Sequence, residues 1–132
     1  MTKILKVKAR QVFDSRGNPT IEAEVYTKNN SATAICPSGA STGTYEAFEK
    51  RDKNNNKFLG KSVYSAIKII NVNISKRLRG QDVHNQEKID ALMINLDGSR
   101  QKKKLGANSI LSVSMACLLY TSDAADEHSC VG

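Results

Sequence analysis

The spacing of apolar residues changes period near the middle of the chain. Residues 4–13 alternate, with Leu5, Val7 and Ala9 on one side and Lys6, Lys8 and Arg10 on the other, a period of two that predicts a half-buried strand. Asp14-Ser15-Arg16-Gly17-Asn18-Pro19 is dense in turn formers. Ile21, Ala23 and Val25 then alternate with Glu22, Glu24 and Tyr26, Lys28-Asn29-Asn30 marks a second turn, and Ala32, Ala34 and Cys36 predict a third short strand with Ile35 on its other side. Short links between consecutive strands imply an antiparallel meander. Further on, Val63, Ile67, Ile70, Ile74 and Leu78 recur at helical spacing, with Gly80 as the stop. Asn85 is positioned to cap a second helix carrying Ile89, Leu92, Met93 and Leu96 and ended by Asp97-Gly98. A third helix is expected from about Ala107-Asn108, with Ile110, Leu111, Val113 and Ser114. Between strands and helices, Pro37 to Thr44 holds only small residues, Gly and Pro and reads as a loop; Tyr45 to Arg51 fits a short helix; Asn54-Asn55-Asn56 and Gly60 read as loop again. Strands first and helices after is the α+β pattern.

Length adds that the 132 residues make one domain, large enough to bury a core. No run approaches the roughly 20 apolar residues of a membrane-spanning helix. The basic start, MTKILKVKARQVF, is too interrupted by Lys and Arg for a secretory signal, so the expected compartment is the cytoplasm. Three scattered cysteines, Cys36, Cys117 and Cys130, make a poor disulfide framework, and without a CxxC pair or neighbouring histidines they make no metal site. Cys36 is read as a small buried residue. The net charge of +7 raises the question of nucleic acid, but the basic residues are dispersed and aromatics are only 5% of the chain. A solvated face is the expected reading, and nucleic acid is not an expected partner.

Three segments carry chemical information: Asp14-Ser15-Arg16-Gly17-Asn18-Pro19-Thr20; Pro37-Ser38-Gly39-Ala40-Ser41-Thr42-Gly43; and Leu105-Gly106-Ala107-Asn108-Ser109-Ile110-Leu111, preceded by Leu96-Asp97-Gly98. Taken alone, the first is a hairpin turn in which Pro19 leads into the next strand, with Asp14 and Arg16 close enough to pair locally. The second is a small-residue loop able to approach a ligand closely, with hydroxyls that suit a hard cation such as Mg²⁺. It lacks the GK[ST] ending of a nucleotide-phosphate loop. The third is a helix start, with Asn108 placed to satisfy open backbone groups.

Together and in this order, the three segments resemble the N-terminal domain of the enolase family, with its DSRGNPT turn, SGASTG loop and LDGT…KLGANAIL stretch. The resemblance covers residues 3 to about 116. It implies a capping domain whose partner, a C-terminal TIM-like barrel, is missing here. It implies a magnesium-dependent lyase of glycolysis and gluconeogenesis that interconverts 2-phosphoglycerate and phosphoenolpyruvate. It also implies that Ser38, Gly39, Ala40, Ser41, Thr42 and Gly43 form the lid over substrate, and that Ser41 ligates the second Mg²⁺ in the complete enzyme. The catalytic lysine, the acid-side glutamates and the carboxylates for the first magnesium belong to the barrel, so no catalytic residue is expected in this chain and the fragment alone should be inactive. Arg10 and Glu22 match charged positions that pair with the neighbouring subunit of a homodimer or larger homo-oligomer; a solvated strand face accounts for them equally well from the residues alone.

The family pattern is lost after Met115-Ala116. LLYTSDAADE, from Leu118 onward, resembles translated sequencing-adapter read-through. The domain is therefore expected to comprise residues 1–116, with 117–132 a non-native, sequencing-derived tail in which helix continues through about Tyr120. An apolar patch left by the missing barrel is expected to make the fragment marginally soluble. Two other readings compete: a stand-alone basic binding module without catalysis, which would have no use for SGASTG, and a superfamily relative with another substrate, which would carry a different lid sequence.

Overall fold

The computed structural model describes residues 2–36, 50–52, 62–99 and 104–131, with backbone only for 123–131. Three strands, β1 (Ile4–Phe13), β2 (Pro19–Thr27) and β3 (Ser31–Ile35), form an antiparallel sheet in the order β1-β2-β3. Helices follow: α1 (Tyr64–Ile69), a π-helical turn (Ile70–Ile74), α2 (Ser75–Leu78), α3 (Gln86–Asp97) and α4 (Ala107–Val131). This is the α+β arrangement the change of period implies.

Alternation in β2 and β3 gives the sheet its two faces. Ile21, Ala23, Val25, Ala32, Ala34 and Cys36 are buried, while Glu22, Glu24, Tyr26 and Ile35 are turned to the other side. In β1 the outcome differs from the expected alternation. The register slips by one residue between Ile4 and Lys6, so Leu5 is an extra residue against β2 and is 51% exposed. Ile4 and Val7 are the buried pair. A bulge of this kind reverses the side on which every earlier residue falls, which simple alternation cannot register.

The first helical stretch also departs in one position. Ala66, Ile70, Ile74 and Leu78 are all fully buried, whereas Ile67 is only partly so. Steps of four residues overshoot an α-helical turn by about 40° each and would carry Leu78 off the core face. The π turn takes an additional residue into each hydrogen-bonded ring and absorbs that drift. In α3, Ile89 and Met93 are buried and Asn85 caps the helix, its side chain accepting from the Lys88 N–H at 3.2 Å. In α4 the core face is Ser109, Ser112, Val113, Ala116, Cys117 and Tyr120; Leu111 is 44% exposed. Full burial of each Ile, Leu or Val in this layer contributes ~1.5–3 kcal/mol before chain entropy is set against it.

Helices also line the outer edge of β1. Ser75 Oγ accepts from the Val7 N–H at 2.9 Å, Asn71 Oδ1 from the Ala9 N–H at 2.8 Å, and Gln11 Oε1 from the Val63 N–H at 2.9 Å. Four residues of helix rise about 6 Å and two residues of strand about 6.6 Å, so Asn71 and Ser75 meet alternate strand amides in step. Gly80 and Gln81 continue the seam by exchanging backbone bonds with Ile4.

Candidate functional site

Residues Ser38, Gly39, Ala40, Ser41, Thr42 and Gly43 lie outside the described residues, as do 45–49 of the expected short helix; Lys50 to Asp52 has no regular structure. The structure does give the residues on both sides of segment 37–49, and Lys50 and Arg51 link the first informative sequence segment to the third.

On the leading side, Cys36 is fixed to the start of β2. Its N–H donates to the Ile21 carbonyl at 2.8 Å, and Thr20 Oγ1 donates to the Cys36 carbonyl at 2.6 Å. Thr20 and Cys36 are each 3% exposed. On the trailing side, the Lys50 N–H donates to Asn108 Oδ1 at 2.9 Å while Asn108 Nδ2 donates to the Lys50 carbonyl at 3.0 Å. Arg51 Nη1 donates to the Pro19 carbonyl at 2.7 Å. Both sides of the segment are therefore tied to Pro19-Thr20-Ile21, and the trailing side also to the first turn of α4.

Gly106 makes the second attachment feasible. It has φ +90°, and a Cβ built there would lie 2.5 Å from Lys50 Cβ and 2.7 Å from Asn108 Oδ1. Only glycine satisfies both the backbone conformation and the space. Asn108, in the first turn of α4, thus satisfies the open backbone groups of Lys50.

Asp52 organises the next connection. Its carboxylate accepts from Ser62 Oγ at 2.7 Å and from the Tyr64 and Ser65 N–H groups at 3.0 and 2.9 Å, so it caps α1 from a distance in sequence. Burial pushes its carboxyl up, but the hydrogen bonds from Ser65, Ser62 and the Tyr64 amide outweigh that and hold it below the ordinary value. The turn after β1 is built by Asp14, whose Oδ1 accepts from the Arg16 and Asn18 N–H groups, both at 2.9 Å. Its bond to Arg16 is to the backbone.

Arg10 and Glu22 stand on the polar face of the sheet. Arg10 Nε lies 3.1 Å from Glu22 Oε1, and its Nη2 lies 3.2 Å from Glu24 Oε1. Tyr26 donates to Glu24, which raises the phenol's pKa, and Lys6 Nζ sits 4.7 Å from the Tyr26 ring centroid. Cys117 is buried near Asp90; burial first, then that carboxylate, push its thiol up to about 12, so it is no nucleophile at neutral pH. Among the described residues no three His, Cys, Asp or Glu side chains are grouped to hold a metal, and no helix is long and apolar enough to cross a membrane.

Lys50, Arg51 and Asp52 were not singled out by the sequence pattern. A glycine two residues before a helix-starting asparagine was visible, but the asparagine's partner lies 58 residues away.

Comparison with known proteins agrees with the three segments. The sequence profile of the family described as enolase, N-terminal domain, matches residues 4–129. The chain is 71% identical over 116 residues to the enolase of Pelagibacter ubique (strain HTCC1062), covering 88% of the chain. It is 53% identical over 122 residues to the enolase of Methanosarcina acetivorans, covering 92% of the chain. In both cases the match spans 28% of the relative's length. With its meander, its helical layer and the three signature segments of its sequence, the chain belongs to the enolase N-terminal domain family.

Proposed function

We propose that this chain is the capping part of an enolase, contributing the substrate lid to the reversible dehydration of 2-phosphoglycerate to phosphoenolpyruvate. The observation that supports this most directly is the 71% identity to a protein named enolase across 88% of the chain. The anchoring of segment 37–49 from both sides fits a loop that must return to one place.

In this reading Ser38, Gly39, Ala40, Ser41, Thr42 and Gly43 close over the substrate and exclude water, which strengthens the electrostatic contacts inside. Ser41 offers its hydroxyl oxygen as a ligand for the second Mg²⁺ of the complete enzyme. Magnesium, when bound, neutralises charge developing on the substrate carboxylate. The base, the acid and the first metal's carboxylates are assigned to the C-terminal barrel, so the chain by itself is inactive. Arg10 and Glu22 are proposed as contacts to a second subunit. The cytoplasm is the compartment proposed for it. The domain proper is proposed to be residues 1–116, with 117–132 a foreign tail whose first turn nonetheless packs on the core through Cys117 and Tyr120.

A nucleic-acid module is disfavoured by the sheet's polar face. Glu22 and Glu24 stand opposite Arg10 and Lys8 in the register, so the charge on that face is mixed rather than a purely basic stripe.

The test is a chimera in which residues 1–116 replace the matched part of the Pelagibacter ubique enolase. It should turn over 2-phosphoglycerate, and Ser41→Ala should raise the magnesium needed for half-maximal rate. Unchanged activity and magnesium dependence in Ser41→Ala would remove the role given to Ser41.

A further inference from the structure

We propose that β3 is an association edge, on which a second copy of this chain lays its own β3 antiparallel about a twofold axis through Thr33. The inference is independent of the lid reading and of the subunit contacts assigned to Arg10 and Glu22.

The β2–β3 ladder fixes which backbone groups of β3 point outward. The Thr27 N–H donates to the Asn30 carbonyl at 2.9 Å and the Cys36 N–H to the Ile21 carbonyl at 2.8 Å, one bond at each end of the ladder. Antiparallel strands bond at alternate pairs. With Ala32 opposite Val25 and Ala34 opposite Ala23, the even-numbered residues of β3 therefore bond to β2. The N–H and C=O groups of Ser31, Thr33 and Ile35 point the other way. Among the described residues nothing bonds to these outward groups, and all three residues are exposed.

Edges of this kind are ordinarily guarded by charged side chains, proline or a bulge. Ser31-Ala32-Thr33-Ala34-Ile35 has no charge and no proline, and its register with β2 is unbroken. In a chain of net charge +7, an uncharged run lets two copies approach without like charges meeting. The run also complements itself. With Thr33 opposite the partner's Thr33, Ser31 stands opposite the partner's Ile35, and every outward donor meets an outward acceptor, about six bonds in all. A threonine opposite its own copy is a favourable cross-strand pair.

The helical layer fits the same axis. α4 packs over both β2 and β3. With strands about 4.8 Å apart, a helix above the midline of that pair would lie about 10 Å from its copy, the spacing of packed helices. α3 meets the flank of α4 that holds Ser114 and Cys117, and it lies toward α2, which packs on β1. At helical spacing Met115 and Leu119 fall on the opposite flank, the β3 side. Leu119 is 39% exposed and would be covered by the pairing.

The experiment uses the 132-residue chain. Sedimentation equilibrium measures association, and amide hydrogen exchange followed by NMR locates it. The chain should pass from monomer to dimer between about 10 μM and about 1 mM. Over that range exchange at Thr33 and Ile35 should slow several-fold, whereas Ala32 and Ala34 should be protected already at the lowest concentration. Thr33→Lys and Thr33→Glu each place like charges opposite one another on the axis and should weaken association by at least about tenfold. An equimolar mixture of the two should associate about as tightly as the parent. Arg10→Ala should leave this association unchanged. A chain that stays monomeric at the top of the range overturns the proposal, as does a dimer in which Thr33 and Ile35 exchange as freely as in the monomer. A mixture no tighter than its two components also overturns it. If either Thr33 variant does not fold, by circular dichroism, the exchange measurement on the parent decides alone.

Discussion

The Tyr120 hydroxyl lies 2.8 Å from Thr27 Oγ1, joining α4 to the last residue of β2 across 93 positions of sequence. Both residues are 7% exposed, and Thr27 Oγ1 also accepts from the Asn30 N–H, so the tyrosine docks on the turn that starts β3. Tyr120→Phe should lower unfolding stability by about 1 kcal/mol. Truncation after Ala116 removes Cys117 and Tyr120 from the core and should cost about 3 kcal/mol or more. Urea unfolding followed by circular dichroism measures both. A truncated chain as stable as the parent would show that the residues after 116 give the domain no support.

Gly106 and Gly80 form a matched pair. Both have positive φ, +90° and +85°, but a Cβ at Gly80 meets nothing within 4 Å, while one at Gly106 strikes Lys50 and Asn108. Gly80→Ala should cost about 1 kcal/mol, the price of the backbone conformation. Gly106→Ala should cost at least about 1 kcal/mol more, because something in the contact must move. Equal losses in parallel melts would mean that Lys50 yields freely.

Asp52 gives the domain a pH dependence of known sign. Its folded-state pKa is depressed, so its contribution is fully present above the unfolded carboxylate value near 3.8 and is lost as pH falls through the lower folded value. The stability difference between the parent and Asp52→Asn should therefore be largest from about pH 5 upward and shrink toward pH 3. The effect is modest, since Asp52 is only partly shielded from solvent. A difference that grows on acidification would contradict the capping role.

Ser75→Ala removes the acceptor for the Val7 N–H at a buried position and should cost about 1–2 kcal/mol, visible as a lower urea midpoint with an unchanged slope. Arg10→Ala should cost no more than about 1 kcal/mol, and less in high salt, because the guanidinium is 57% exposed. If Arg10 and Glu22 also meet a second subunit, the same substitution should weaken dimerisation of the full-length chimera, as measured by sedimentation equilibrium.

The meander was legible because β2 from Ile21 onward and β3 alternate, which pins their register. Leu5 was misplaced because a bulge costs the sequence nothing visible: one apolar residue more or less in an alternating run leaves the composition unchanged. Ile67 was misplaced for a related reason, since four-residue steps look α-helical until a π turn supplies the alternative. Ser41 was named through resemblance, and its position lies outside the described residues. The Asn108–Lys50 pairing could not be read at all, because it joins a side chain to a backbone and backbone partners leave no mark on residue identity.

The lining of β1 by Ser75, Asn71, Gly80 and Gln81 also bears on how copies of this domain can meet. An outer strand with open amides is a template on which another chain can lay a strand of its own. Here those amides already have partners on the helical side, from Ile4 to Ala9. Growth of the sheet past β1 is therefore blocked along Ile4–Ala9 by the domain's own helices, which leaves β3 as the sheet's other edge.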